Sequence, residues 1–308
     1  MSMRVLITCP AMQRTIDAHR GRFRDAGVEI VLPEMTQQLY EADLLPIIGD
    51  FDGVIAGDDE YNAAVLAAGV PRLKAVAKWG IGLDAIDLDA AKRLGIEVTN
   101  TPDVFADEVA DLVMGYLVTL ARRLHLVDRG VREGAWPKPS GRSLAVRTLG
   151  VVGHGSIGRA VARRGLAFGM RVIATDVRPV EPEAGVEIVG LEQLLRESDA
   201  ISLNCALTPE NHHLLDVSTL ALVKPGAWLV NTARGGLVNE VALVDALARG
   251  QLAGAALDVF EVEPLPAESP LRNFDNVLLG SHNASNTVEA VARVNELAIA
   301  NVLRGIGA

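Results

Sequence analysis

Residues 149–176 read LGVVGHGSIGRAVARRGLAFGMRVIATD, with Gly153-x-Gly155-x-x-Gly158 lying between a strand-like run and a helix-like run. Each glycine has its own physical reason. Gly153 permits a tight turn, Gly155 lets backbone approach a pyrophosphate, and Gly158 lets the helix pack on the strand. Ser156 and Ile157 open that helix, whose unpaired N–H groups attract phosphate. Asp176 ends the next strand candidate, 176 − 153 = 23 residues after the first glycine. An acid about 20 residues on accepts hydrogen bonds from the adenosine ribose hydroxyls. The pattern therefore predicts a dinucleotide site. A carboxylate at Asp176 repels a 2′-phosphate, which favours NAD over NADP. Arg178, two residues on, either qualifies that preference or is a solvated surface charge.

A second group of residues could handle a carboxylate and a proton. Arg234 follows the buried apolar run AWLVN and precedes two glycines in NTARGG (231–236). A guanidinium is always charged and costly to bury alone. Its planar fork suits a carboxylate, either of a ligand or of a nearby structural acid. Gly235 and Gly236 are expected to leave room for ligand. Of six histidines (19, 125, 154, 212, 213, 282), His282 stands just after a late strand candidate, and imidazole trades protons near neutral pH. Glu261 and Glu263 lie two apart in an acidic loop, 254–265 being GAALDVFEVEPL.

These residues need strand ends to present them. Apolar runs at 3–9, 27–32, 51–57, 73–80 and 96–102 alternate with helix-like segments. A second series falls at 147–153, 171–175, 186–189, 200–204, 227–231, 254–259 and 276–280. Strands alternating with helices predict parallel sheets covered on both faces. A long amphipathic helical region is expected over 107–132, then a loop over 134–143. A last helix is expected over 287–304, capped by Asn286 with Glu289 completing a capping box.

With 308 residues, two domains are expected. The net charge of −10 and the lack of a basic tract argue against nucleic acid and anionic membranes as partners. Two cysteines, Cys9 and Cys205, without metal spacing, predict neither a disulfide framework nor a metal site. No apolar run reaches about 20 residues, so a soluble, cytoplasmic protein is expected.

Four ordered segments carry a resemblance over nearly the whole chain: KWGIGLDAIDLDAAKRLGIEVTNTP (78–102), VKPGAWLVNTARGGLVNEVALVDAL (223–247), GAALDVFEVEPL (254–265) and SHNAS (281–285). The sequence resembles the D-isomer-specific 2-hydroxyacid dehydrogenases, which include phosphoglycerate dehydrogenase. The resemblance implies an α/β architecture of two Rossmann-like lobes with a cleft between them. An NAD-binding lobe (102–282) is inserted into a flavodoxin-like substrate lobe (1–101 and 283–308). It implies NAD-dependent interconversion of a D-2-hydroxy acid and a 2-keto acid. Arg234 would grip the substrate, His282 would act as general acid or base, and Glu263, the acid directly before proline, would support it. Lys78 and Gly80 would belong to the substrate loop, with the amides of Ile81 and Gly82 completing carboxylate binding. Asp258 would hold the nicotinamide amide, Thr232 and Ala233 would line that ring, and Cys205 and Thr208 would lie along the cofactor. A homodimer formed through the NAD-binding lobe, with 107–136 as its candidate surface, is also implied.

Some positions depart from the family pattern: Ala85 after Asp84, Ser281, Asn204 and Ala206. Phosphoglycerate-type members carry arginine after the third strand, where this chain has AGDDEYN (56–62). Those acids either repel a second anionic group on the substrate or merely face water. The family's serine-sensing C-terminal domain is not expected. Two rival readings are an NAD(H)-sensing, corepressor-like binding protein and phosphoglycerate dehydrogenase proper.

Overall fold

The computed structural model describes residues 2–308. The chain forms two compact units, Met1–Val104 with Asn286–Ala308, and Phe105–Ser285.

The first unit is built on a five-stranded parallel sheet. Its strands are β1 (Met3–Ile7), β2 (Val28–Val31), β3 (Gly53–Ala56), β4 (Ala75–Lys78) and β5 (Glu97–Thr99), in the order β2-β1-β3-β4-β5. Alternation along β1 shows why both faces are covered. Leu6 packs with Leu44, Val54 and Leu66 on one face, while Val5 and Ile7 pack with Met12, Phe23, Ile299 and Val302 on the other. The last two belong to the C-terminal helix Val288–Ile306, which lies on β3 and β4. That helix is capped by Thr287, whose side chain accepts from the Ala290 amide at 3.1 Å. The expected cap at Asn286 is therefore displaced by one residue.

The second unit carries seven parallel strands: β6 (Thr148–Val152), β7 (Arg171–Thr175), β8 (Val186–Ile188), β9 (Ala200–Leu203), β10 (Ala227–Asn231), β11 (Leu252–Leu257) and β12 (Val277–Leu279). Their order is β12-β11-β10-β9-β6-β7-β8. Connections run one way from β6 to β8 and the other way from β9 to β12, so the switch point lies between β6 and β9. Ligands of open α/β sheets bind beyond the carboxyl ends of the strands at such a point. Each expected strand run contains a strand, but β11 begins two residues early, at Leu252. It pairs with β10 across a register shift at Ala227/Trp228, and Asp258 is left just past its end.

The long helical region divides into Ala106–Arg122 and Leu124–Arg132, because Arg123 adopts φ 55° and ends the first helix in a left-handed cap. No local signal in RRLH announces that break.

Candidate active site

The glycine fingerprint sits at the switch point of the second unit. Gly153 has φ 88°, and a Cβ there would meet the backbone of Asn204 and Cys205 past β9. At Gly158 a Cβ would overlap the Gly153 carbonyl. At Gly155, the N-cap of helix Ser156–Ala167, a Cβ would meet only Arg178 Nη2, at 3.7 Å. Two glycines thus serve packing, and the third opens onto space at a helix N-terminus, a setting whose N–H groups suit a phosphate. A cavity of ≈ 450 Å³ adjoins it, lined by His154, Ser156, Arg159, Asp176, Arg178 and Pro179.

Asp176 anchors the floor of that cavity. Its Oδ2 accepts from the His154 amide at 2.9 Å, and its Oδ1 accepts from the Arg178 amide at 3.0 Å and from Arg178 Nε at 3.3 Å. Partial burial raises its pKa, but the amide hydrogen bonds and the Arg178 guanidinium outweigh burial and hold the carboxyl below its ordinary range. Arg178 is therefore a partner of Asp176, not a detached surface charge. Two further observations fit a dinucleotide. Thr232 Oγ1 is buried without a hydrogen-bond partner. Cys205 flanks the fingerprint, its thiol raised to about 11 by burial. Thr208 is exposed beside it and opens the turn Pro209–Asn211.

The arginine loop is shaped by Asn231, the last residue of β10. Its side chain accepts from the Ala233 amide at 3.1 Å and donates to the Arg234 carbonyl at 2.8 Å, which wraps the turn tightly. Arg234 Nη1 donates to the Ala233 carbonyl at 2.8 Å. The expectation that Gly235 and Gly236 leave room for ligand is corrected. Phe260 and Glu261 backbone fills the space above Gly235, while Leu207 and His212 side chains lie over Gly236. The glycines let the acid loop pack on the arginine loop.

His282 and Glu263 meet. His282 Nδ1 lies 2.8 Å from Glu263 Oε2, and Glu263 Oε1 accepts from the Phe260 amide at 2.9 Å. A carboxylate facing Nδ1 places the proton of a neutral ring there and presents Nε2 for exchange. Both groups are mostly buried, at 24% and 16% side-chain exposure, which strengthens their interaction relative to water. Glu261 turns away, to His213 Nε2 at 2.6 Å, so tertiary contacts separate the two acids that local sequence left equivalent.

The backbone of His282 is held at φ 54° by Asp258, whose carbonyl accepts from the His282 amide at 2.6 Å and whose Oδ2 accepts from the Ala284 amide at 2.7 Å. Asp258 is fully buried, and Tyr116 faces its other oxygen at 3.4 Å. Burial, then the Asp258 charge, push the Tyr116 hydroxyl above its ordinary range. Asp258 therefore also shapes the turn that carries His282.

The substrate-loop residues lie in the first unit. Gly80 has φ 133°, and its amide donates to Thr101 Oγ1 at 3.0 Å, while Asn100 Nδ2 donates to the Ile81 carbonyl at 2.8 Å. Gly80 therefore shapes the turn that carries Ile81 and Gly82. Lys78 is 4% exposed at the end of β4, with Nζ bonded to Asp58 Oδ1 at 2.7 Å and to the Gly57 carbonyl. Its expected place among ligand-facing groups is corrected to a buried ion pair. The acidic loop is likewise not a set of three bare charges. Asp58 pairs with Lys78, and buried Asp59 accepts from Thr8, Leu39 and Gly57.

Local sequence reasoning missed Asn231, Thr101, Asn100 and His213. Asn231 and Asn100 are polar residues at or just past strand ends, a detectable signal, whereas nothing local marks His213.

Residues 114–284 match the family model described as D-isomer specific 2-hydroxyacid dehydrogenase, NAD binding domain. A glyoxylate reductase of Korarchaeum cryptofilum is 44% identical over 254 residues, 80% of this chain and 76% of the relative. A hydroxypyruvate reductase of Thermotoga maritima is 40% identical, covering 89% of this chain and 91% of the relative. The crystal structure of a D-lactate dehydrogenase from Aquifex aeolicus, complexed with NAD and lactic acid, superposes with a TM-score of 0.85 at 30% identity, over 96% of this chain and 93% of that one.

Proposed function

Because this chain belongs to the D-isomer-specific 2-hydroxyacid dehydrogenase family, we propose that Arg234, Glu263 and His282 carry its reaction, in the roles argued below. The protein is an NAD-dependent oxidoreductase that interconverts a 2-hydroxy acid and a 2-keto acid. Bound NAD(H) supplies the hydride acceptor or donor. Gly153, Gly155, Ser156, Ile157 and Gly158 would hold its phosphates and Asp176 its adenosine ribose. Thr232, Ala233, Cys205 and Thr208 would line the rest, and the first unit would serve as the substrate lobe.

In reduction, Arg234 binds the substrate carboxylate by its fork, with the amides of Ile81 and Gly82 as further donors. His282, protonated at both nitrogens, gives the Nε2 proton to the substrate's 2-oxygen. Glu263, pinned by the Phe260 amide, keeps the ring oriented through Nδ1. Oxidation runs the same path backwards, with neutral His282 taking the hydroxyl proton at Nε2. The pair His282–Glu263 at 2.8 Å is the observation that carries this reading.

The substrate is proposed to be a small D-2-hydroxy acid or its keto acid, of the glyoxylate or hydroxypyruvate kind, without a phosphate. Lys78, the cation next to the substrate loop, is already neutralised by Asp58, which supports that choice. The test is NADH oxidation with glyoxylate, hydroxypyruvate, pyruvate and 3-phosphohydroxypyruvate. Turnover of the first two is expected. A preference for the phosphorylated acid would overturn the substrate choice, and no turnover with NADH still bound would favour a sensor. His282→Asn, which tolerates φ near 54°, should lose at least about a hundredfold in kcat while still binding NADH.

A homodimer through the second unit belongs to the same proposal. Helix Leu124–Arg132 buries none of its residues, and Trp136 is 76% exposed after it. Light scattering of Trp136→Asp should show a shift to monomer if that surface is the interface. A reducing, cytoplasmic setting is supported by two unpaired cysteines, and no helix among the described residues is long and apolar enough to cross a membrane.

A further inference from the structure

We infer that His213 is a positioning residue for this reaction, holding the acid loop and the arginine loop in one register. The inference rests on the roles given above to Arg234 and Glu263. His213 reaches three elements at once. Its amide donates to the Gly236 carbonyl at 2.8 Å, beside Arg234. Its Nε2 lies 2.6 Å from Glu261 Oε1, and its Nδ1 lies 3.3 Å from Asn239 Nδ2.

The tautomer follows from the neighbours. Asn239 caps helix Glu240–Ala248, its Oδ1 accepting from the Ala242 amide at 2.9 Å. That bond fixes the orientation of the side-chain amide, so Nδ2 is the group facing His213. Nδ2 can only donate, so His213 Nδ1 accepts and the ring proton resides on Nε2. His213 therefore donates to Glu261. In the second His–Glu pair the ring meets its acid through the other nitrogen, His282 Nδ1 to Glu263.

Such a donor is needed because the acid loop is electrostatically crowded. Glu240 Oε1 accepts from the Glu261 amide at 2.8 Å, which brings three carboxyl groups, on 240, 261 and 263, around one turn. Burial first, then the charges of Glu261 and Glu263, raise the Glu240 carboxyl above its ordinary range. Repulsion of this kind tends to open the loop. His213 ties down Glu261, so Glu263 is left to serve His282. Phe260 and Glu261 backbone then stays seated over Gly235, and the arginine loop beneath keeps its shape.

The left-handed backbone of His213, φ 55°, provides a clean variant. Glycine adopts that conformation readily, so His213→Gly removes the ring and keeps the turn. The measurements are kcat and KM for the keto acid, NADH affinity by fluorescence, and thermal stability. Wild-type enzyme is assayed first. If it reduces no 2-keto acid with NADH, the functional reading fails, and this inference falls with it for that separate reason. With activity in hand, His213→Gly is expected to lower kcat by about tenfold to a hundredfold, the usual effect of misplacing catalytic groups by about 1 Å. NADH affinity is expected to stay within about twofold. His213→Gln, whose amide can donate to Glu261, should recover most of kcat. Glu261→Ala should reproduce the loss, and the double variant should be no worse than the poorer single, as for two parts of one device. Glu261 is a surface side chain, so its variant carries the test even if His213→Gly folds poorly. An unchanged kcat, no rescue by glutamine, additive losses, or a parallel fall in NADH affinity would each overturn the inference.

Discussion

A Cβ on Gly235 would lie inside the carbonyl group of Phe260. Arginine loop and acid loop therefore pack backbone to backbone, and neither can shift without the other. Gly235→Ala is expected to cost at least about 3 kcal/mol and to remove turnover, because backbone has to move. Gly236→Ala meets only side-chain atoms of Leu207 at 3.1 Å and His212 at 3.4 Å, which can give way, so it should cost about 1 kcal/mol or less. Chemical denaturation and turnover of the two variants check the contrast. Equal behaviour would sink it.

Asp176 holds the His154 and Arg178 amides, and it is the acid proposed to meet the ribose hydroxyls. Asp176→Ala should raise KM for NADH by about tenfold or more and narrow the preference over NADPH. Arg178→Ala should act oppositely on that preference, since it removes the nearby cation and leaves the carboxylate. The ratio of kcat/KM for the two cofactors, measured in both variants, decides the matter.

Asp59 makes stability depend on pH. Burial is the largest influence and raises its pKa from 3.8 to about 6, against the bonds from Thr8, Leu39 and Gly57 and the charge of Lys78. A raised folded-state pKa means that its contribution is fully present below the unfolded value and lost as pH rises through the folded one. That difference corresponds to roughly 3 kcal/mol. Relative to Asp59→Asn, the wild-type chain should therefore lose up to roughly 3 kcal/mol between about pH 4 and about pH 6, then level off. Denaturation curves of both proteins across that window measure it, and a constant difference would contradict the assignment.

Trp79, next to Gly80, donates its indole N–H to Asn295 Oδ1 at 2.7 Å, while Asn295 Nδ2 donates to Thr15 at 2.9 Å and to His19 Nε2 at 3.2 Å. Asn295 is 1% exposed, so Asn295→Leu leaves buried donors and acceptors unpaired at about 1–3 kcal/mol each. It should also raise KM for the keto acid, through Trp79 and the turn after it. Asn295→Asp keeps the acceptor for Trp79 and should lie between leucine and wild type. If KM follows stability without regard to the Trp79 bond, aspartate will be no better than leucine.

The fold was legible because its signals are short-range. Apolar runs of four to eight residues located all twelve strands, and the fingerprint lies within one β–α–β unit. Ends were less legible. The break at Arg123 and the cap at Thr287 depend on single backbone conformations and hydrogen bonds, which a periodic pattern does not resolve. At the site, the resemblance chose Glu263 over Glu261 by its neighbouring proline, and the structure brings Glu263 to His282.

By itself, the sequence determined the chemical inventory: a phosphate turn with its distant acid, one arginine at a buried strand end, a histidine past a late strand, and two parallel α/β units to present them. Only the tertiary structure decided how those groups are paired. His282 finds Glu263 across 19 residues, Lys78 finds Asp58 across 20, and His213 finds Glu261 across 48. Such pairs are set by which strand ends lie side by side, and sheet order is a property of the whole packed unit. Lys78 shows the consequence. Its charge suggested a ligand, but at the end of a central strand it is buried, and a buried ammonium has to find its counter-charge within the protein.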